Sequence, residues 1–276
     1  MSTDENSLAR QAADAAEDAS DHKALDVVAR FGFAVLAVVH ILIGLIALQI
    51  AFGGNGEAEP SGALEHLAGG TFGPWTMWAC AVGCLGLAAW QFSEATLRAR
   101  HLPTGQQVSK TISSGSLSII YGSMAFTFAR FAFGGEVDSS ESTRDFTASM
   151  MESPFGIFVI LAVGGTVFGI GVYFVFKGIL RKFRPELAHF EDTRRGALID
   201  VLGVIGHVAK GLALVLVGML FVAAVMTHDP SRSTGLDGSL KALPEHPFGI
   251  PLLITIAVGL ICYGIFALVR SRFGRM

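Results

Sequence analysis

The chain has 276 residues, 51% of them hydrophobic, with a mean hydropathy of +0.55 and a formal net charge of -3. That balance is high for a soluble globular protein and ordinary for a multi-pass membrane protein. The net charge says nothing about nucleic acid, and no basic stripe with interleaved aromatics appears, so no nucleic-acid partner is expected. The three cysteines, Cys80, Cys84 and Cys262, fall inside hydrophobic runs. Four residues along one helix is a poor disulfide geometry, so they read as small packing residues and not as a secreted disulfide framework.

Residues 1–26 are rich in Ala and acidic, with no positive segment ahead of a short apolar core. They read as a disordered solubilising tail and not as a signal peptide. Six apolar spans follow, expected at about 28–52, 74–97, 110–133, 154–180, 198–226 and 247–269. About twenty apolar residues at 1.5 Å per residue cross a bilayer core of roughly 30 Å, and backbone groups in lipid must pair internally, so each span should be a helix. The third span is the most polar, with Ser113, Ser114, Ser116, Ser118 and Tyr121. No proline interrupts the middle of any span, so the broken-helix pattern of many ion-coupled transporters is absent.

The spans come as three tandem pairs, 27–100, 106–183 and 198–274. Setting Gly44 against Gly122 and Gly218 also aligns Ala37, Gly115 and Gly211, giving a stripe of small residues suited to close helix packing. Gly165 and Gly169 supply a further small pair in the fourth span. The turns align as well: Phe72-Gly73, Phe155-Gly156 and Phe248-Gly249 each precede an even span, with a short amphipathic piece upstream. A two-helix unit returns the chain to its starting side, so the copies share an orientation. The expected architecture is all-α: six transmembrane helices with pseudo-threefold symmetry about the membrane normal.

Lys and Arg set the orientation. Fifteen of the twenty lie in the tail, the links between pairs and the C-terminus, whereas the three turns after the odd spans hold eleven Asp or Glu. Both termini are therefore expected on the cytoplasmic side of a bacterial inner membrane. The basic link with Arg181, Lys182, Arg184, Arg194 and Arg195 is in addition a candidate contact for anionic lipid.

The segments ARFGFAVLAVVHILIGLIAL, GALEHLAGGTFG and AVGCLGLAAWQFSEA, with IGHVAKGLALVLVGMLF in the last copy, resemble a bacterial, mostly actinobacterial, membrane family. That family is a domain of unknown function made of two-helix units, usually in three copies. The resemblance covers residues 28–272, weakest in the middle copy. It implies fold and compartment, and it carries no catalytic residues over.

Candidate polar sites are few. His40 lies near the middle of the first span, where an ionisable residue is a functional candidate. A single interhelical hydrogen bond would equally satisfy a neutral imidazole, and its repeat equivalents, Ser118 and Leu214, do not complete a ring of histidines. Ser114 and Ser118 are the other candidates near mid-span. His207 and Lys210 sit one turn apart toward the cytoplasmic end of the fifth span, with Asp200 two turns earlier. Snorkelling of Lys210 is the plain reading and an ion or proton relay the sharper one. The different depths of His40 and His207 argue against a bis-histidine haem, and no cofactor or metal is expected. G-x-S-x-G, H-E-x-x-H and phosphate-loop patterns are missing. The expected role is a non-catalytic accessory or packing protein binding membrane partners or lipids. Translocation of a small solute, ion or lipid through the repeat interior is the alternative, with a haem or redox protein third.

Overall fold

The computed structural model describes residues 23–69, 73–101, 103–135, 138–187, 194–233 and 235–274. Most of the acidic tail, residues 1–22, lies outside the described residues, as does Phe72 of the first turn motif. Nine α-helices occur among them: α1 Lys23–Ala51, α2 Pro60–Ala68, α3 Gly73–Ser93, α4 Thr104–Ala132, α5 Ser139–Met151, α6 Pro154–Ile179, α7 Arg194–Thr227, α8 Gly235–Lys241 and α9 Gly249–Phe273. The described β structure is one isolated antiparallel bridge, Leu187 with Gly274.

Five helices, α1, α4, α6, α7 and α9, are long and apolar enough to cross a membrane. The second expected span, α3, is not among them. It has 21 residues, but Thr76, Gln91 and Ser93 dilute its apolar character. Large apolar side chains cover the outside of the long helices: Phe155 is 78% exposed and Phe126 67%. Such rows are a liability in water and the expected surface in lipid. Several long apolar helices with that surface mark a membrane protein.

The helices gather into two compact units, which cut across the sequence repeats. One unit holds α1 up to Val35 with α3 and α4, and the other holds α1 from Leu36 with α2 and everything from Gly135 onward. In the first unit α1 approaches α3 where Gly32 faces Gly83 and Leu87. Phe33 meets Trp90 edge to face nearby, ring centroids 6.2 Å apart. Helices α3 and α4 are tied by the Ser118 hydroxyl, which donates to the Ala88 carbonyl at 2.8 Å. The Lys110–Glu94 ion pair, at 2.5 Å, closes the end of the same helix pair.

In the second unit α6, α7 and α9 pack through glycines. A Cβ on Gly171 would come within 2.7 Å of the Gly211 carbonyl, and one on Gly218 within 2.8 Å of the Gly164 carbonyl. Ile160, Val217 and Phe221 form the apolar core of this contact. On α1, Gly44 faces Ala257 and Ile261 of α9.

Short helices α2, α5 and α8, one from each turn after an odd span, come together in this unit as a cap. The Glu59 carboxylate accepts from Ser61 Oγ (2.7 Å), from the Ser140 amide (3.1 Å) and from Ser140 Oγ (3.2 Å). Asp237 accepts the Ala58 amide at 2.8 Å and pairs with Lys241 at 2.6 Å. The Phe-Gly motif has a steric cause here. A Cβ on Gly156 or Gly249 would run into the carbonyl of Met150 or Leu243, six residues back, where the chain turns from the short helix into the long one.

Candidate functional site

Helix α7 places His207 and Lys210 one turn apart on the face covered by α9, and Gly206 lets the α9 backbone close in at Tyr263. The His207 ring is 1% exposed and its Nδ1–H donates to the Gly203 carbonyl at 2.7 Å. It stacks on Phe183 at 4.9 Å and on Phe174 at 5.9 Å. Tyr263 and Phe266 meet it edge-on at 5.3 and 5.1 Å. Four aromatic rings therefore enclose one imidazole.

Lys210 lies beside this enclosure. Its Nζ donates to the Tyr263 hydroxyl at 3.2 Å, 4.2 Å from the Tyr263 ring centroid and 5.0 Å from that of Phe174. From α1, His40 reaches the same tyrosine: its ring centroid is 4.8 Å from that of Tyr263, and its Nδ1–H donates to the Leu36 carbonyl at 2.7 Å. His40 and His207, read from sequence as separated in depth, thus both touch one tyrosine. The depth reading counted residues along each helix and had no means of seeing how α1 and α7 meet α9.

One turn farther along, Glu186 joins the ends of α6 and α9. Its carboxylate takes Lys177 at 2.5 Å and Arg270 at 2.7 Å. Burial works to raise the Glu186 carboxyl, but the charges of Arg270 and Lys177 outweigh it and hold the group below the usual carboxylate range. Asp200 does not join His207 or Lys210; it pairs with Arg184.

Of the other sequence candidates, Ser118 is spent on the α3–α4 contact and Ser114 is buried in the same unit. Ala37 is 1% exposed, with its carbonyl beside Gly264. Gly44, Gly211 and Gly218 lie at close helix approaches, whereas a Cβ on Gly115, Gly122, Gly165 or Gly169 meets nothing within 4 Å among the described residues. On α6 the close approach runs through Gly164, Gly171 and Gly178. Gly165 is one residue, and so about 100° of helix, away from Gly164.

Tyr263, Phe174 and Glu186 are the residues that sequence reasoning passed over. A tyrosine in the middle of an apolar span was a signal for the first, since a buried phenol needs a partner. Glu186 sits in a link whose length differs between copies, so repeat alignment had no counterpart for it. Among the described residues no three His, Cys, Asp or Glu side chains converge as metal ligands do.

The chain is 26% identical over 249 residues to an uncharacterized protein, YxxB, of Bacillus subtilis (strain 168), a match covering 90% of each chain. No solved structure matches it significantly. The model of a domain of unknown function matches three times in tandem, at residues 31–98, 114–181 and 205–274. Those three copies together span most of the chain, and the chain therefore belongs to the DUF1206 family.

Proposed function

We propose that the chain is a non-catalytic accessory protein of a bacterial inner membrane that binds membrane partners or lipids. In this reading it has six spans and both termini in the cytoplasm, with α3 as the sixth. The observation that carries it is how the mid-span polar groups are spent. Ser118 serves a helix–helix contact, and the His40 Nδ1–H is taken by its own helix. A solute path would need such groups facing water. The test is native mass spectrometry of the tagged protein extracted in mild detergent from its own membrane. A stoichiometric protein or lipid is the expected result; a bare 29.2 kDa chain that holds neither overturns the reading.

Translocation of a small solute, ion or lipid is a second reading, favoured by one feature. Lys210, His40 and His207 all meet Tyr263, which gathers polar groups inside the apolar spans. Cysteines placed at positions 40 and 118, with Cys80, Cys84 and Cys262 replaced by Ala, separate the two readings. Labelling by a water-soluble thiol reagent at both positions supports translocation, and protection at both supports the accessory role.

A further inference from the structure

We propose that the Lys210 ammonium and the Tyr263 hydroxyl form a site for one anionic phosphate group, which an anionic phospholipid supplies. The inference rests on the reading of the chain as a lipid-binding membrane protein and names the lipid chemistry. Lys210 has no carboxylate partner among the described residues: its contacts are the Tyr263 oxygen and the faces of Tyr263 and Phe174. The nearby carboxylate, Glu186, is already engaged by Lys177 and Arg270.

Tyr263 adds a second, independent observation. Its oxygen accepts from Lys210, and its own proton has no acceptor among the described residues. An ammonium and a phenol O–H, 3.2 Å apart, therefore both lack an anionic acceptor. Cation–π contact offsets only part of the cost of holding an ammonium within apolar helices. A phosphate oxygen would accept from both groups at once through charge-assisted bonds.

Lys177 extends the site toward the helix ends. Its Nζ is 5.6 Å from the same Phe174 ring that Lys210 approaches from 5.0 Å. Lys177 stands two residues before the last residue of α6, Ile179, and with Arg270 it outnumbers the one carboxylate, Glu186, so a net positive charge leads from the span to the end of the helices, where headgroups lie. A carboxylate on a partner helix would also satisfy Lys210. The phosphate is preferred because the charge continues to the helix end and the surrounding α6 surface is an apolar row fit for acyl chains, with Tyr173 and Phe176 exposed.

The test uses the full chain in nanodiscs of phosphatidylcholine with a minor fraction of phosphatidylglycerol, released into native mass spectrometry. Wild type is expected to retain one phosphatidylglycerol in preference to phosphatidylcholine. Lys210→Gln should weaken that retention about tenfold or more, the worth of a charge-assisted bond. Tyr263→Phe should weaken it less, and Lys210→Arg should keep it. Thermal midpoints show that each variant is folded; where Lys210→Gln is not, Tyr263→Phe against Lys210→Arg decides.

Equal retention by wild type and folded Lys210→Gln overturns the site while leaving lipid binding elsewhere intact. No lipid retained by wild type overturns the site together with the lipid-binding half of the proposed function, and leaves only binding of a protein partner. Inorganic phosphate, titrated in zwitterionic micelles, separates the two sources. A Lys210-dependent rise in midpoint with phosphate alone assigns the site to a free anion and overturns the lipid assignment.

Discussion

Glu59 is 1% exposed, yet it is a carboxylate at the centre of the cap built by three turns. Burial raises its carboxyl above the usual range and the charge of Asp237 adds to that, against the hydrogen bonds from Ser61 and Ser140. Glu57, which faces Asp138, Asp237, Lys241 and Glu65, is raised chiefly by burial too. A carboxyl whose folded pKa lies above its unfolded value, about 4.3, favours the fold when protonated. That contribution is complete below the unfolded value and is lost as pH rises through the folded one. The thermal midpoint of wild type should therefore climb as pH falls through the folded value toward the unfolded one, and Glu59→Gln should flatten the climb. Parallel pH slopes for the two proteins would remove Glu59 as the cause. A slope abolished by Glu57→Gln alone would move the effect to that neighbour. None of this was legible in sequence. The acidic turns were visible, but the partner of Glu59 lies 81 residues away in a turn of different length.

Helix faces were legible only in part. Small residues spaced by three or four mark a stripe that permits close approach, but not which stripe a neighbour occupies. On α6 two stripes run side by side. One holds Gly164 and Gly171, which face α7, and the other Gly165 and Gly169, which face nothing within 4 Å among the described residues. The i, i+4 motif drew sequence reasoning to the second stripe; the seven-residue spacing of the first is two helical turns and equally keeps one face. Gly171→Ala would set a methyl 2.7 Å from both the Gly211 carbonyl and the Val215 amide nitrogen. Overpacking of that kind costs about 1–3 kcal/mol, so the thermal midpoint should fall. Gly165→Ala meets open space and gains up to about 1 kcal/mol of helix propensity, so its midpoint should hold or rise. If Gly165→Ala proved as damaging as Gly171→Ala, the second stripe would be a packed surface in the membrane.

At the scale of the molecule, the threefold repetition was legible because its marker is steric. In the second and third Phe-Gly turns any side chain at Gly156 or Gly249 would strike a carbonyl, so a change there disrupts the turn. Which helices pair was not legible, since neighbours α3 and α4, and α6 and α7, pack across repeat boundaries. Whether α3 crosses the membrane decides the topology. At 21 residues and 1.5 Å each, it measures about 31 Å, enough for a bilayer core of roughly 30 Å. Most of α3 is buried by its own unit: Met77, Cys84 and Leu87 are fully enclosed, so its composition need not match lipid as closely as that of α4 or α6. The test is direct, because Asn55, in the link after α1, and Gly105, in the first turn of α4 after the second link, are both exposed. With Cys80, Cys84 and Cys262 replaced by Ala, Asn55→Cys should react with a membrane-impermeant maleimide in intact cells. Gly105→Cys should react only after permeabilisation. Two sites that react alike would put both links on one side. The chain would then have the five spans α1, α4, α6, α7 and α9, four of them after α1, the even helices of the three copies would no longer be equivalent, and the cytoplasmic placement of both termini would fail with them.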